Sequence, residues 1–459
     1  MSQNLPAEPE APSGARASGA SAPVRLLVAG DLHIGRMAAR VPPGESALGI
    51  EAVLSSTADL ALSLGVDALV LTGDLADVGN KAFEAAGVLD RLFRRLADAG
   101  LPVVAVAGDH DFDALAGIAD RAGSDRVGSP LVHVLGVGQT WETLPLKRDG
   151  AEVLRLVGWS FAGPHAAESP LATFPGDLGP GVPVVGVLHG DVDAADSRFA
   201  PVSLAALQSA PVSAWLVGHR HAASVVRGDG ALVVSPGSLQ PLGPDETGVH
   251  GAMLVTVWGN GTATAEAVPL ATLHYGDVEV DLAEATTAAE ARALCAAALR
   301  EHAAAVREAS PAVLRAVVTL RLVGRTAAFA AVDALAAELR TDGDTAHAGL
   351  TVSVARVESS AAPDLDLGRL SAGSGAVATL ARLSARLGTQ GPLDESAMSA
   401  ADRALVTRTA DAVRAARGAR VFETLAADGR LDGDLRDEAV GRLRRQVSRL
   451  LGAALVQAD

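Results

Sequence analysis

The chain has 459 residues, 49% of them apolar, a length and composition that predict two or three globular domains. Its single cysteine, Cys295, excludes a disulfide framework and a cysteine metal cluster, and it fits a cytoplasmic location because the cytoplasm is reducing. The formal net charge of −16 argues against a simple DNA-coating protein, since free nucleic-acid binders are usually basic, and no apolar run is long enough to span a membrane.

The first part of the chain alternates apolar strands with helices. Residues 1–22 are rich in Ala, Pro, Ser and Gly and predict a disordered tail. Residues 24–29 then predict a strand, residues 48–64 a helix, the run "VDALVLTGD" a second strand, residues 80–99 a second helix, and "LPVVAVAGDHD" a third strand. This alternation predicts an α/β sheet with helices on its faces.

The segment that follows, up to residue 272, has few helices and many short apolar runs. These runs predict strands at 131–135, 153–159, 184–188, 214–217, 231–235, 251–257 and 262–268. We therefore expect a second sheet, with more antiparallel pairing than the first. Residues 23–272 are predicted to form one domain.

A compact βαβαβ unit is predicted over residues 273–358. Its expected strands are 277–282, 313–323 and 350–357, and its expected helices are 286–305 and 326–340. Its size and regular alternation predict a small α/β domain of its own.

Residues 359–459 are predicted to form a linker and a helical C-terminal region. The linker covers 358–374, where Ser, Gly and Asp are frequent, and the sequence beyond it is mostly helical. The last helix carries one apolar stripe surrounded by arginines, formed by Val440, Leu443, Val447, Leu450 and Leu451. Such a stripe is typical of a packing helix or of an element that docks on a partner.

Polar side chains that can bind metal follow five of the apolar runs, most of them next to a glycine. In chain order they are Asp31, His33, Asp74, Asp77, Asp109, His110, Asp111, His189, His219 and His221. Sites in open α/β sheets form outside the carboxyl ends of the strands. Carboxylates with neutral imidazoles suit divalent Mn, Fe or Zn, and this set is too large for one ion but sufficient for two that share a bridging carboxylate. The sequence therefore predicts metal-assisted phosphoester hydrolysis.

The order "GDLH", "GDLAD", "GDHD", "LHGD" and "GHRH" resembles the calcineurin-like metallophosphoesterases. Within that superfamily, residues 235–257 resemble the stretch Pro-Gly-Ser, then Glu-x-Gly-x-x-Gly, of bacterial SbcD-type and YhaO-type DNA-repair exonucleases. The resemblance implies a four-layer sandwich of two mixed β-sheets flanked by helices, with the small α/β unit as a cap and the helical region after it. It also implies a phosphodiesterase that cleaves DNA as a repair exonuclease and needs two divalent metal ions, with Mn expected and Fe or Zn as alternatives.

The family pattern implies a role for each residue that matches it. The implied ligands are Asp31, His33 and His221 for one ion, Asp109, His189 and His219 for the other, and Asp74 as the bridge. His110, held by Asp77, would contact the substrate phosphate and protonate or polarise the leaving oxygen. Asp109 departs from the pattern, which has asparagine. Its extra charge is expected to hold the metal more firmly but to weaken the metal's field, so that the enzyme is metal-specific or slow.

The expected partners are DNA and an SbcC/YhaN-like coiled-coil ATPase, with no membrane, and a homodimer is a further expectation. In SbcD-type proteins a helical tail engages such an ATPase, which supplies much of the grip on DNA. Two alternatives stay open. One is a small-molecule phosphodiesterase or phosphatase of the same fold, which needs no cap or tail, and the other is a catalytically weak scaffold subunit.

Other polar residues have structural alternatives. Arg220, between two implied ligands, could bind a substrate phosphate or be a solvated loop residue. His133 is expected to be a packed or edge residue, whereas His165 could flank the site. Asp111 is expected to support its loop, and Cys295 to be a small buried residue. The histidines without a neighbouring ligand pattern are expected at the surface: His250, His274, His302 and His347.

Overall fold

The computed structural model describes residues 22–42, 44–122, 132–388, 396, 398–417 and 435–456. These residues divide into two compact units. The first contains the described residues up to Gly276 with Ala304–Val317 and Ala348–Thr351, and the second contains the rest. The predicted disordered tail lies outside the described residues except for its last residue, and the predicted domain boundaries stay predictions.

Twelve strands and four helices lie before residue 272 in the described part of the chain. The strands are β1 (Val24–Ala29), β2 (Ala68–Leu71), β3 (Val103–Ala105), β4 (Val132–Val134), β5 (Glu142–Arg148), β6 (Ala151–Trp159), β7 (Val184–His189), β8 (Ala214–Gly218), β9 (Ser224–Val226), β10 (Leu232–Ser235), β11 (Gly251–Val257) and β12 (Ala263–Pro269). The helices are α1 (Ile50–Leu64), α2 (Val78–Asp98), α3 (Leu115–Ala122) and α4 (Leu204–Ser209), with 3₁₀ turns at Ser46–Leu48 and Pro170–Thr173.

The strands form two six-stranded sheets, in the orders β12-β11-β1-β2-β3-β4 and β5-β6-β7-β8-β10-β9. In the first sheet β1 to β4 are parallel neighbours. In the second, β6, β7, β8 and β10 are parallel neighbours. Because the carboxyl ends of parallel neighbours meet at one edge of a sheet, the loops after β1, β2 and β3 lie side by side, as do those after β7 and β8.

The two sheets pack face to face, with helices on their outer faces. Along β1, Leu26 and Val28 enter the core between the sheets, where Leu216 of β8 also lies. The alternate residues Leu27 and Ala29 pack against α1, α2 and α3 instead. The helix α4 covers the outer face of the second sheet. The predicted four-layer sandwich of two mixed sheets flanked by helices is confirmed.

The expectation of a more antiparallel second sheet is wrong. Only its outermost pairs, β5–β6 and β9–β10, are antiparallel. Strands Val184–His189 and Ala214–Gly218 are buried along their whole length, as parallel strands covered on both faces are, and α4 lies on the connection between them. β11 and β12 belong to the first sheet, where β11 pairs antiparallel with β1 from Val24–Val257 to Val28–Met253. The strands β5 and β9 and the helices α3 and α4 lay outside the predicted elements.

Beyond residue 272, the strands are β13 (Leu273–Asp281), β14 (Arg315–Val323), β15 (Arg325–Thr326), β16 (Thr345–His347), β17 (Leu350–Ser359) and β18 (Ala362–Pro363). The helices are α5 (Ala288–Ala309), α6 (Phe329–Thr341), α7 (Leu367–Ser371), α8 (Gly375–Leu387), α9 (Ala400–Arg417) and α10 (Leu435–Val456). A four-stranded sheet has the order β13-β14-β17-β16. The three strands and two helices predicted for the βαβαβ unit are all present. Among the described helices, none is both long and apolar enough to cross a bilayer.

The linker predicted at 358–374 is mostly regular structure. β17 continues to Ser359, and Ala362–Pro363 pair in parallel with Arg325–Thr326. The helix α7 then begins after Asp366, whose side chain accepts a hydrogen bond from the backbone N–H of Arg369. Asp and Ser predicted a linker here because they favour turns, but the same side chains also cap helices.

The helices α8, α9 and α10 pack together in the C-terminal region. Their shared core contains Leu387, Met398, Val406, Val440, Leu443 and Val447. Of the stripe predicted on the last helix, Leu451 is also buried and Leu450 is exposed. The stripe is therefore mainly a packing surface of this helical region.

Candidate metal centre

Tight turns after β1, β2 and β8 carry candidate ligands to one edge of the two sheets. The backbone is left-handed at four of them, with φ of 49° at Asp31, 43° at His33, 53° at Asp74 and 91° at His219. This conformation is uncommon for residues other than glycine and costs of order 1–3 kcal/mol each. Such strain gathers at functional sites, so its recurrence at these residues points to a site here.

Two glycines allow these loops to approach one another. A Cβ atom on Gly108 would lie 2.0 Å from Oδ1 of Asp74, and a Cβ atom on Gly73 would lie 2.6 Å from Nδ1 of His189. Both separations are too short for non-bonded atoms, so a larger residue at either position would push a candidate ligand away.

The seven predicted ligands fall into two groups, in each of which the ligand atoms lie within 4.8 Å of one another. One group contains Asp31, His33 and His221, and the other contains Asp74, Asp109, His189 and His219. A further grouping of His33, Asp74 and His110 overlaps both. Oxygen and imidazole ligands of this kind suit divalent Mn, Fe or Zn.

Asp74 lies between the two groups. Its Oδ2 is 3.7 Å from Nε2 of His33 and 3.4 Å from Nε2 of His189. Its Oδ1 accepts a hydrogen bond of 3.1 Å from the backbone N–H of His110, which fixes the carboxylate's orientation. One oxygen atom of Asp74 thus faces a histidine of each group.

His189 is oriented from behind by the backbone. Its Nδ1 lies 2.9 Å from the carbonyl oxygen of Thr72, and because a carbonyl only accepts, Nδ1 carries a proton and Nε2 is the nitrogen that faces the site. Nε2 of His189 and Oδ1 of Asp109, 3.4 Å apart, are buried and make no hydrogen bond within the described residues. Orphaned buried polar atoms are rare, and a cation would satisfy both. The donor set therefore fits a divalent metal ion.

His219 is held between two carboxylates. Its Nδ1 is 3.5 Å from Oδ1 of Asp109, and its Nε2 is 3.5 Å from Oδ1 of Asp191. Its backbone N–H donates to Oδ1 of Asp31 at 3.0 Å, which ties the loop after β8 to the loop after β1. Asp191 was not predicted as a site residue, although it ends the motif "LHGD".

His221 turns the opposite nitrogen toward the site. Its Nε2 lies 3.1 Å from Nε2 of His33, and its Nδ1 lies 2.9 Å from Oε1 of Glu246. Glu246 was also not predicted as a site residue. The available signal was its place in the Glu-x-Gly-x-x-Gly stretch, which pointed to a family but not to a contact.

His110 lies at the mouth of the cluster. Its Nδ1 is 3.9 Å from Oδ1 of Asp77, and its Nε2 is 3.7 Å from Oδ2 of Asp109. The side chain of His110 is 41% exposed, whereas that of Asp77 is 9% exposed. A substrate can therefore reach this imidazole, while the carboxylates that flank it stay largely covered.

Asp111 supports the loops after β2 and β3, as predicted. Its two oxygens accept hydrogen bonds from the backbone N–H groups of Leu75 at 2.7 Å and Gly108 at 2.8 Å. The side chain is fully buried, and burial together with nearby Asp74 raises its pKa to about 7. Asp111 is therefore a structural residue whose loss would free both loops.

Burial and mutual charge set the protonation of the cluster. Burial raises the pKa of Asp31 to about 6 and lowers that of His33 to about 3, so His33 is neutral, as a metal ligand must be. Burial also disfavours a charged His189, but Asp74 and the other carboxylates outweigh it and raise its pKa well above the ordinary value. The same contact lowers the pKa of Asp74 to about 2 despite its burial. A cation that binds here therefore displaces a proton from His189.

The remaining predicted positions lie around the cluster or away from it. Arg220 is exposed beside His219. The ring of His165 packs at 5.5 Å on Phe199, whose ring is in turn 5.0 Å from that of His219. His133 is half-buried in the edge strand β4, as expected.

Two of the histidines expected at the surface are buried. His250 is 5% exposed, and its Nδ1 contacts Ser238, while His274 is 9% exposed and its Nδ1 donates to the carbonyl of Gly248 at 3.1 Å. The expectation failed because a lone histidine without a ligand pattern can still be buried when the backbone offers it an acceptor. His302 and His347 are half-buried. Cys295 is buried, as predicted.

Comparisons with known proteins found a family model, curated relatives and solved structures that are similar to this chain. The family model of the calcineurin-like phosphoesterases matches residues 24–223. The uncharacterized metallophosphoesterase YhaO of Bacillus subtilis is 26% identical over 235 residues, which are 50% of this chain and 54% of YhaO. The DNA double-strand break repair protein Mre11 of Sulfurisphaera tokodaii is 32% identical over 87 residues, 19% of this chain and 22% of that protein. A dimetal phosphatase from Danio rerio aligns with 53% of this chain and 98% of its own, at 15% identity and a TM-score of 0.33.

The chain spans about half of the length of YhaO and about a fifth of that of Mre11. The match to YhaO confirms the predicted resemblance to YhaO-type proteins. The matched residues include every candidate ligand described above. The chain therefore contains a calcineurin-like phosphoesterase domain, built on residues 24–223.

Proposed function

We propose that this domain hydrolyses phosphodiester bonds of DNA at a two-metal centre. The observation that carries the proposal is Oδ2 of Asp74, which lies within 3.7 Å of a histidine from each ligand group. Asp31, His33 and His221 would hold one ion, Asp109, His189 and His219 would hold the other, and Asp74 would bridge them. When bound, two such ions polarise the phosphate and activate water for in-line attack. Manganese is the proposed ion, and Fe and Zn suit the same ligands.

His110 is the proposed general acid for the leaving oxygen. Its exposed imidazole is flanked by Asp77 and Asp109, at 3.9 Å and 3.7 Å, so the ring is placed between two carboxylates at the edge of the ligand cluster, where a leaving oxygen can reach it. Asp77 would hold this ring through Nδ1. The exposed Arg220 would bind a non-bridging oxygen of the phosphate.

DNA is the proposed substrate class, with exonuclease action in repair. Two observations support DNA over a small ester. A relative is named as a DNA double-strand break repair protein, and the chain continues past the matched domain with a four-stranded sheet and packed helices that a small substrate does not require. We further propose that an SbcC/YhaN-like coiled-coil ATPase binds the chain and compensates for its net charge of −16 by supplying the grip on DNA. A homodimer and a cytoplasmic location belong to the same proposal.

The test is cleavage of end-labelled single- and double-stranded DNA with Mn²⁺, alongside a cyclic nucleotide. His110→Ala is expected to lower DNA cleavage by about 10²–10⁴-fold and to leave metal content unchanged. His347→Ala, a half-buried histidine of β16 outside the cluster, is the matched control and should cleave normally. Cleavage of the cyclic nucleotide alone would indicate a small-molecule phosphodiesterase. Binding of DNA without cleavage would indicate a scaffold.

A further inference from the structure

A chain of hydrogen bonds extends from His221 into the protein on the side away from His33. Nδ1 of His221 lies 2.9 Å from Oε1 of Glu246, and Oε2 of Glu246 accepts from the hydroxyl of Ser238 at 2.7 Å. Oε2 also accepts from the backbone N–H of Leu242 at 3.1 Å. The side chains of His221 and Glu246 are 26% and 12% exposed, so these contacts are largely shielded from water.

The direction of each hydrogen bond in this chain follows from its far end. Nδ1 of His250 lies 3.1 Å from the carbonyl oxygen of Ser238 and 3.0 Å from its hydroxyl. A carbonyl only accepts, so Nδ1 of His250 carries a proton, and the hydroxyl of Ser238 is free to donate to Glu246. The carboxylate of Glu246 then receives three donors and accepts from all of them. Nδ1 of His221 is therefore a donor, and Nε2 is the nitrogen that faces the site and is left to bind a metal ion.

The backbone fixes this chain relative to the ligand loops. The N–H of Ser238 donates to the carbonyl of His221 at 3.0 Å, and the next N–H, of Leu239, donates to the carbonyl of Gly30 at 3.3 Å. Gly30 directly precedes the candidate ligand Asp31. Ser238 is completely buried, so its position is set by these contacts. Glu246 is thus anchored to the same two loops that supply one group of ligands.

The two ligand groups are supported differently. Nδ1 of His189 donates a hydrogen bond to a neutral backbone carbonyl, whereas Nδ1 of His221 donates one to a carboxylate. A carboxylate behind a metal-binding imidazole both orients the ring and makes its free nitrogen a better donor to a cation. In the other group Asp191 lies 3.5 Å from Nε2 of His219, a longer separation than the 2.9 Å between His221 and Glu246. Within the described residues, no contact joins Glu246 to His189 or Asp109, so the effect of Glu246 itself is confined to one group.

We propose that Glu246, anchored by Ser238 and His250, is a positioning residue for the metal ion held by Asp31, His33 and His221. This inference rests on the proposed two-metal function and deepens it by assigning a residue that selectively supports one ion. Removal of Glu246 lets the His221 ring rotate and change tautomer, and it leaves the other ligand group intact. The ion held by Asp31, His33 and His221 would therefore be lost first, while the ion of the other group would stay.

The experiment titrates the full chain with Mn²⁺ by calorimetry and records the electron paramagnetic resonance spectrum. Glu246→Ala is expected to weaken one ion by about 10–100-fold and to leave the other unchanged. The spectrum should then change from that of a coupled pair to that of an isolated ion. Glu246→Gln keeps an oxygen for Nδ1–H of His221 but sets an amide against the N–H of Leu242, so partial recovery is expected. Asp245→Ala removes the neighbouring exposed carboxylate and is the matched control.

The outcomes separate this inference from the proposed function. A wild-type chain that binds no Mn²⁺ overturns the two-metal function itself. If the wild-type chain binds two ions and Glu246→Ala binds both equally well, only the role of Glu246 is overturned. Loss of both ions from Glu246→Ala, with an unchanged circular dichroism spectrum, also overturns only that role. If Glu246→Ala does not fold, Ser238→Ala replaces it, because it removes the hydroxyl that donates to Oε2 of Glu246 and so loosens the carboxylate behind His221. Weaker binding of one ion by Ser238→Ala supports the inference, and unchanged binding contradicts it.

Discussion

Asp109→Asn tests the one position at which the sequence departs from the family pattern. Oδ1 of Asp109 is 3.4 Å from Nε2 of His189 and 3.5 Å from Nδ1 of His219, so asparagine would keep a neutral oxygen in the same place. The substitution removes one negative charge and little volume. Any change in metal binding therefore reports the charge.

The magnitude follows from these distances. Two unit charges about 3.5 Å apart interact by roughly 5 kcal/mol at an effective dielectric constant of about 20. Part of this is offset, because Asp109 already favours the protonated form of His189, whose proton a bound cation replaces. We expect a remainder of about 1.5–3 kcal/mol, which corresponds to about ten- to a hundredfold weaker binding of one ion. Turnover at saturating metal should rise by up to about tenfold, because a neutral ligand leaves the metal a stronger field.

The assay is a Mn²⁺ titration by calorimetry, combined with hydrolysis of a chromogenic phosphodiester over a range of Mn²⁺ concentrations. Asp113→Asn is the matched control, since Asp113 is exposed on the same loop and lies outside the candidate ligand groups. Unchanged metal affinity and unchanged turnover in Asp109→Asn would show that position 109 is not a ligand. Weaker binding without faster turnover would refute the argument about the metal's field.

The remaining predictions concern pH and the loops. His189 and His221 have raised pKa values in the metal-free protein, so both must lose protons to bind metal. The affinity for Mn²⁺ should therefore rise as the pH increases above 6.5, by about tenfold per pH unit for each proton released. Calorimetry in two buffers of different ionisation enthalpy measures this release, and equal heats would contradict it. Gly108→Ala should weaken metal binding and lower the free energy of unfolding, measured by urea denaturation, by about 1–3 kcal/mol, because the new Cβ atom would meet Asp74. Gly259→Ala is the control, because a Cβ atom there would lie in open space. Asp111→Ala should lower the free energy of unfolding by roughly 2–4 kcal/mol, since two buried N–H groups lose their acceptor. Asp113→Ala, at an exposed position, is the control. Equal stability of the two variants would argue against the support role of Asp111.

Local patterns were sufficient to predict the strands that carry the ligands. Each of these short apolar runs is followed by a glycine and then by Asp31, Asp74 or Asp109. Because the strands are parallel neighbours, their carboxyl ends lie at the same edge of the sheet. Pairing between distant strands is not visible in such patterns. The antiparallel pair of Val24 and Val257 depends on which sheet has an open edge, which local composition does not encode.

The same limit explains which site residues were missed. The predicted ligands are recognisable because each belongs to a short motif at a strand end. Glu246 reaches His221 from a loop 25 residues away, and His250 contacts Ser238 across 12 residues. Nothing in the spacing of such residues distinguishes a buried acceptor from an exposed side chain. Supporting contacts of this kind become visible only when the loops are folded together.

The most direct test of the account is anomalous diffraction at the manganese absorption edge from crystals of the full chain grown with Mn²⁺. Two peaks are expected, one among Asp31, His33 and His221 and one among Asp109, His189 and His219, with the carboxylate of Asp74 between them. No peak at these residues, or a single peak without Asp74 as a ligand, would contradict the two-metal centre.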